Sequence, residues 1–209
     1  MPNGGLAATL VVMLMFMLPA SAQMMNTLSP EERSGGWTLL FDGKTLNGWA
    51  PRGDAKWEVQ NGEIVAVVSD AQGHLATRTA YGDFQLRLEF FVDGAANSGV
   101  FLRSPETGSI GSDRAYEVNI FDKSGSWPTG SINEIVKTTV TQNTIGKWNT
   151  YDIMAQGNHI VAVVNGEKTI DIRIPEKALA AREARGSIGL QYGGGKGTVR
   201  FRNIRILAK

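Results

Sequence analysis

Polar residues that could hydrogen-bond a ligand alternate with apolar ones in the stretch Asp83–Asp122. Three runs in it are typical of β-strands: Phe84–Val92, Ser98–Arg103 and Tyr116–Phe121. Successive side chains of a strand point to opposite faces, so parity sorts each run into two sets. One set is mostly aliphatic. The other predicts a ligand-binding face with carboxylate, guanidinium and amide groups from Glu89, Asn97, Arg103, Glu117 and Asn119.

Arg103 and Glu117 share this parity on strands that we expect to be neighbours. Two interpretations of the pair stay open. The side chains could act on a ligand, or they could form a cross-strand ion pair of the kind common on exposed sheet faces.

The sequence predicts no metal site and no cofactor. It contains no cysteine, which excludes disulfides, thiol nucleophiles and thiolate-bound metals. His74 and His159 are the only imidazoles, and each is predicted to be a surface residue, so a zinc site would need carboxylates to complete it. Calcium binding through Asp, Asn and backbone oxygens stays open, although no EF-hand-like spacing is present.

The elements that must position these residues are predicted to be short strands. A chain of 209 residues, 42% hydrophobic and with 25 glycines, suits one β-rich domain with many turns. Apolar runs of strand length are separated by turn signals at Asn61-Gly62, Gly157-Asn158, Asn165-Gly166 and Gly193–Gly197. About ten strands and one plausible helix, Glu176–Arg185, predict an all-β, antiparallel two-sheet sandwich.

The N-terminus has the pattern of a secretion signal. Residues 1–22 contain an apolar run, a proline and the small-residue site Ala20-Ser21-Ala22, which predicts cleavage and export to the periplasm or the extracellular space. An uncleaved N-terminal anchor is the alternative. Residues 23–35 are predicted to be a connector with a helical turn at Ser29-Pro30, and residues 36–209 a single domain. The net charge of +1 gives no indication of a nucleic-acid partner or, after cleavage, of a membrane partner.

Several segments together resemble the 3-keto-disaccharide hydrolase domain family, and the resemblance extends from about Leu28 to Leu207. The segments that carry it are Gly36–Trp49 (GWTLLFDGKTLNGW), Asn97–Arg103 (NSGVFLR), Tyr116–Ile120 (YEVNI), Lys147–Tyr151 (KWNTY), Asn165-Gly166, Ile188–Gln191 (IGLQ) and Phe201–Arg205 (FRNIR). The resemblance implies an exported bacterial protein with a concanavalin A-like jelly-roll fold. It also implies a glycoside or oligosaccharide ligand, and hydrolytic cleavage of glycosides whose sugar has been oxidised to a 3-ketone. A sugar oxidoreductase that makes the keto sugar would be a neighbouring partner.

The loop Lys123–Gly146 departs from the family pattern. Thr129-Gly130-Ser131-Ile132 matches it, but Asn133-Glu134 replaces an aromatic residue and a glycine. This loop is expected to help cover the concave face of the sandwich, so the departure bears on substrate choice and on activity.

The 3-ketone changes what the chemistry requires. Ordinary glycosidases use two carboxyl groups across the scissile bond, whereas the strand Tyr116–Phe121 offers only Glu117. A 3-ketone acidifies the proton on C2, so one base and some stabilisation of the enolate suffice for elimination at C1. We therefore predict Glu117 as the base, with Arg103 and Asn119 as donors to the ketone or enolate oxygen.

Further residues are predicted to bind the sugar. Gln191 alternates away from its apolar neighbours and is expected to reach the same face, although a satisfied polar residue on a sheet is an equal alternative. Trp127, in a Gly/Ser/Pro-rich loop, is predicted to be an aromatic platform under a sugar ring. Asn97 and Glu89 complete the predicted substrate-binding set.

Two other functions stay open beside the keto-glycoside hydrolase. The same face could belong to a non-catalytic carbohydrate-binding module, which the changed loop and the single carboxylate favour. An adhesion domain of the laminin-G type is the third possibility, and the converging polar residues speak against it. The fold alone does not separate these functions. The sequence does not determine which sugar and aglycone are bound, whether cleavage is a hydrolysis or an elimination, or the oligomeric state.

Overall fold

Alternation of apolar and polar residues builds the longest strands of the protein. The computed structural model describes residues 24–209, which form thirteen strands and two short helices. In the strand Phe84–Val92 every second residue, beginning with Phe84, is buried, and the residues between them are half-buried. The predicted leader, residues 1–22, lies outside the described residues.

The strands, in chain order, are β1 (Thr38–Leu39), β2 (Trp49–Gly53), β3 (Trp57–Gln60), β4 (Glu63–Ala66), β5 (Gly73–Thr77), β6 (Phe84–Val92), β7 (Ser98–Ser104), β8 (Tyr116–Ile120), β9 (Trp148–Gln156), β10 (His159–Val164), β11 (Glu167–Arg173), β12 (Ser187–Tyr192) and β13 (Val199–Ala208). The helices are α1 (Pro30–Ser34) and α2 (Glu176–Leu179).

Two antiparallel sheets contain these strands. The larger one has eight strands in the order β11-β10-β9-β6-β13-β4-β3, with β1 also paired to β13. The smaller one has five, in the order β2-β5-β12-β7-β8. The apolar residues of both sheets form one buried core, in which the largest side chains include Phe84, Phe90, Tyr116, Tyr151, Tyr192 and Phe201. The predicted antiparallel sandwich with few, short helices is therefore confirmed.

The three central runs do not all lie side by side, as the sequence led us to expect. β7 and β8 pair with each other in the five-stranded sheet, but β6 lies in the eight-stranded sheet between β9 and β13. The chain crosses from one sheet to the other between β6 and β7. The predicted single face shared by all three strands is therefore wrong for β6, since each sheet has its own outer face.

The segment before β1 packs against the sandwich. Ser29 caps α1 in a reciprocal arrangement: its hydroxyl accepts a hydrogen bond from Glu32 N, and the Glu32 carboxylate accepts one from Ser29 N. Asn26 is 7% exposed and exchanges backbone–side-chain hydrogen bonds of 2.6 and 2.8 Å with Asn203 in β13. The predicted helical turn thus forms, and its segment is bonded to the larger sheet.

The second helix is shorter than predicted. α2 ends at Leu179, whereas the sequence suggested a helix as far as Arg185. After Leu179 the chain turns, and Arg182 donates hydrogen bonds to the carbonyls of Ser112 and Ala115 in the loop between β7 and β8. Neither helix within residues 24–209 is long and apolar enough to cross a membrane.

Candidate functional site

Two rows of residues in register cross the outer face of the five-stranded sheet. The first, which we call the polar row, consists of Arg52, His74, Gln191, Gly99 and Asn119. Gln191 falls opposite Gly99 because the Leu190–Val100 pairing continues by one residue. The second, the Glu117 row, consists of Ala50, Ala76, Gly189, Phe101 and Glu117. Glu117, Asn119 and Gln191 therefore share one face, as their alternation predicts.

Glu117 is a buried carboxylate that leans towards the polar row. Its side chain is 4% exposed, and it accepts hydrogen bonds from the Ser112 hydroxyl and the Asn133 side chain. A Cβ atom built on Gly99 would lie 2.8 Å from Glu117 Oε1, so the carboxylate occupies the space that the glycine leaves open. Burial raises the pKa of Glu117, and the negative charge of Glu134 raises it as well. The two hydrogen bonds lower the pKa, but they do not cancel the rise. Such a carboxyl group is suited to accept a proton.

Three side chains of the polar row have buried polar atoms with no hydrogen-bond partner among the described residues. They are His74 Nε2, Gln191 Oε1 and Asn119 Oδ1. The other end of the Asn119 amide is fixed, since its Nδ2 donates to the carbonyl of Trp127. A buried polar atom without a partner costs about 1–3 kcal/mol, so a ligand that hydrogen-bonds these atoms would be stabilised at this row.

His74 is a site residue that the sequence analysis missed. Its ring packs edge-on against Phe101, with centroids 4.6 Å apart. Burial lowers the pKa of His74 to about 4, and the charge of Arg52 contributes to the lowering, so the imidazole is neutral at neutral pH. The prediction of a surface histidine is wrong because Gly73–Thr77 was not identified as a strand. Its alternation, with buried Leu75 between outward-facing residues, was the signal available.

Asn97 and Trp127 lie at the end of this face where β7 begins and β8 ends. The carbonyl of Asn97, an exposed residue just before β7, accepts a hydrogen bond of 2.9 Å from Gly193 N. Trp127 is half-buried in the loop after β8, where its backbone accepts the bond from Asn119 and donates one of 2.9 Å to Ser124 Oγ. Both residues border the polar row, and their predicted contact with a sugar stays a prediction.

Arg103 does not join Glu117. It adopts a positive φ of 52° where the pairing of β7 with β12 shifts register, so the alternation of side chains breaks there. Its guanidinium donates to the carbonyls of Gly82 and Gly157, at 2.8 and 2.7 Å, and to Asp83 Oδ1 at 3.0 Å. At 3% exposed it anchors two connections between strands. The predicted position on the ligand-binding face and the alternative ion pair with Glu117 are both wrong.

Glu89 is also remote from the site. It lies on β6, on the outer face of the eight-stranded sheet, where its carboxylate accepts hydrogen bonds of 2.7 Å from Arg202 Nε and from Asn203 Nδ2. Its predicted role in substrate binding fails because strand neighbours in sequence are not neighbours in space here. An ion pair with Arg202 and a hydrogen bond from the Asn203 amide account for the position of Glu89 without a ligand.

Two loops cover the outer face. In the loop of residues 105–115, Ile110 and Ala115 pack on Ala76 and Phe101, over the Glu117 row. The Arg52 guanidinium holds this loop by donating to backbone carbonyls of Pro105, Glu106 and Gly108.

The loop of residues 121–147 lies along the free edge of β8. Ser131 accepts a hydrogen bond of 2.9 Å from Asn119 N, and Ile132 forms a bridge with Val118. Asn133, which departs from the family pattern, donates its backbone N–H to Glu117 O at 3.0 Å as well as bonding the Glu117 side chain. The changed loop position therefore contacts the candidate base directly.

The described residues contain no cluster of three or more His, Cys, Asp or Glu side chains that could hold a metal ion. His159, the second imidazole, pairs with Asp171 at 2.7 Å in the eight-stranded sheet, far from the polar row in the fold.

Comparisons with known proteins agree with this architecture. A candidate glycosyl hydrolase of Parabacteroides distasonis, known from a crystal structure, superposes with a TM-score of 0.76 at 23% identity, covering 88% of this chain and 99% of that one. The carbohydrate-binding module CBM66 of Bacillus subtilis superposes with a TM-score of 0.55 at 14% identity, covering 76% and 94%. At these identities the two structures show the shared fold alone, which is the lectin-like jelly roll.

Sequence comparison identifies the family. A 3-keto-disaccharide hydrolase of Bacteroides thetaiotaomicron is 26% identical over an alignment of 186 positions, and the match covers 73% of this chain and 64% of that protein. This chain thus spans less than two thirds of the length of that relative. The family model for the 3-keto-alpha-glucoside-1,2-lyase-like domain matches residues 36–207. Since that match covers nearly the whole sandwich, the chain belongs to the 3-keto-alpha-glucoside-1,2-lyase-like domain family.

Proposed function

We propose that this protein cleaves glycosides or disaccharides whose sugar carries a 3-ketone, with Glu117 as the base. The observation that carries the proposal is the buried Glu117 carboxylate, which leans over Gly99 between Gln191 and Asn119. Membership of the family and the name of the Bacteroides relative support a hydrolase-like protein that acts on carbohydrates.

A single carboxylate is enough for this chemistry. Glu117 is the only carboxylate in the polar row and the Glu117 row, whereas ordinary glycoside hydrolysis requires two carboxyl groups. With a ketone at C3, Glu117 Oε1 takes the proton from C2, and the electrons of that C–H bond form an enolate. The enolate collapses to a C1–C2 double bond and the C3 ketone as the C1–O bond breaks, and the protonated Glu117 gives its proton to the leaving oxygen. Water then adds to C1 and loses a proton to Glu117, which passes it to C2.

The unpartnered atoms of the polar row provide the binding groups. Gln191 Oε1 and Asn119 Oδ1 would accept hydrogen bonds from sugar hydroxyls. The neutral His74, in the tautomer that carries its proton on Nε2, would donate to the ketone and then to the enolate oxygen. Arg103, assigned to that oxygen from the sequence, has no place in this proposal because its guanidinium is bonded elsewhere.

A second candidate function is non-catalytic carbohydrate binding on the same face. The cover of Glu117 by Ser112 and Asn133 favours it, since a carboxylate held on both sides can serve the fold alone. In that case the polar row would bind a sugar and leave it intact.

Incubation of the full-length protein with a 3-keto glucoside and with its unoxidised parent tests the proposal, with release of the aglycone as the measurement. We expect release from the keto sugar alone, and its loss in Glu117→Gln. Glu58→Gln is the matched control, because Glu58 is exposed on β3 in the other sheet. Unchanged turnover in Glu117→Gln would remove Glu117 from the mechanism. Binding of the keto sugar without release would support the second candidate.

We also propose that the protein acts outside the cytoplasm, on the basis of the signal pattern in residues 1–22. Expression of the full chain in a bacterium, followed by fractionation and N-terminal sequencing, tests this. A mature chain beginning at Gln23 in the periplasm or medium is expected; an intact N-terminus would favour the anchor.

A further inference from the structure

We propose that a cavity beside the polar row receives the leaving group of the glycoside and favours one that carries a carboxylate or phosphate. The leaving-group assignment rests on the proposed function, whereas the preference for an anion rests on the cavity itself. The cavity has a volume of about 390 Å³ and is lined by Ala50, Arg52, Ala76, Arg78, Glu106 and Thr107, among others. This volume lies in the range of small-molecule sites.

The cavity lies within reach of the candidate base along the sheet. Arg52 belongs both to the polar row and to the cavity lining, and its charge acts on His74. Gly99, over which Glu117 leans, is two strands from His74, a separation of about 10 Å at ordinary strand spacing. A leaving group that extends from a keto sugar over Gly99 and Gln191 past His74 would therefore reach the cavity.

The charged groups of the cavity favour an anion. Arg52 bonds only to backbone carbonyls, which are uncharged, so its positive charge is not neutralised. Arg78 is exposed, and its guanidinium makes no hydrogen bond or ion pair with another residue of the described chain. Glu106 is the one carboxylate among the lining residues, and it pairs with neither arginine. Two guanidinium groups against one carboxylate leave a net positive site, and the Arg78 guanidinium can bind a carboxylate or phosphate in a bidentate manner.

Direct binding tests the inference without turnover. Ligand-observed NMR titrations of the full-length protein would compare glucuronate, glucose 6-phosphate and glucose, in the wild type, in Arg78→Ala and in Arg78→Lys. We expect the two anions to bind more tightly than glucose, and Arg78→Ala to weaken only the anions, by about two- to fivefold. Arg78→Lys should keep part of the affinity, and added salt should reduce it. Arg173→Ala, which removes an exposed arginine from the other sheet, is the control.

The outcomes separate this inference from the proposed function. Preference for glucuronate over glucose 6-phosphate, or the reverse, identifies the acidic group. Equal affinity for glucose and both anions, or no effect of Arg78→Ala, would overturn the charge preference even if Glu117→Gln abolishes turnover. Charge-dependent binding without any turnover of keto glycosides would keep the anion site and refute its assignment to a leaving group.

Discussion

Replacement of Gly99 by alanine tests the geometry on which the candidate site depends. A Cβ atom at this position would lie 2.8 Å from Glu117 Oε1, 3.0 Å from Cγ and 3.3 Å from Cδ. The first distance is shorter than such contacts allow, so the carboxylate must move. Its freedom is limited, since Glu117 is 4% exposed and is held by Ser112 and Asn133.

Both stability and activity should respond. Overpacking a buried site costs about 1–3 kcal/mol, and in a domain of this size each kcal/mol lowers the Tm by about 2–4 °C. We therefore expect the Tm of Gly99→Ala to fall by about 2–12 °C. A shift of the base approaching 1 Å costs up to about 100-fold in rate, so kcat/KM for a 3-keto glucoside should fall by about 10- to 100-fold.

The assay combines thermal unfolding with aglycone release, and Gly125→Ala is the matched control. Gly125 lies in an exposed loop, and a Cβ atom there would meet nothing within 4 Å. Its substitution should change stability by less than about 0.5 kcal/mol and leave turnover unaltered. A Gly99→Ala protein as stable and active as the wild type would refute the placement of Glu117 over Gly99. Lost stability with unchanged kcat/KM would show that Glu117 is not the base.

Two further predictions concern buried charged groups. Because burial raises the pKa of Glu117, its contribution to stability is fully present below the unfolded pKa and is lost as pH rises through the folded value. Glu117→Gln lacks this titration, so urea unfolding from about pH 4 to pH 8 should show the variant gaining stability relative to the wild type; parallel profiles would contradict the burial argument. Arg103→Met should lower the unfolding free energy by about 3 kcal/mol, because the carbonyls of Gly82 and Gly157 and the Asp83 carboxylate lose their buried donor. Arg103→Lys should not restore the lost stability. If urea unfolding of Arg103→Met shows a loss below about 1 kcal/mol, the hydrogen bonds of Arg103 are dispensable for stability.

Local alternation was enough to place part of the site from the sequence. Glu117, Asn119 and Gln191 were assigned to one face by parity, and the structure brings them together because β7, β8 and β12 keep a period of two at these positions. Their neighbours Val118 and Leu190 are correspondingly buried in the core. The family resemblance likewise depended only on the order of short segments along the chain.

His74 was missed for a local reason, since its strand is short and contains few strand-forming residues. Gly73 begins β5, and a glycine gives a weak strand signal. The strand forms because it pairs on both sides, with β2 and β12. Its outward side chain is then half-buried, with Nε2 fully buried, and the residue type alone does not predict this.

The sequence by itself determined most of the strands, their inward faces and the placement of one carboxylate on the same face as neighbouring amides, since side-chain alternation is a local property of an extended chain. Only the tertiary structure decided which sheet each strand joins, and so moved Glu89 to the opposite side of the protein. It also decided the bulge that turns Arg103 away and the loop contact that buries Glu117 under Ser112. These depend on packing between segments distant in the chain, which alternation does not encode.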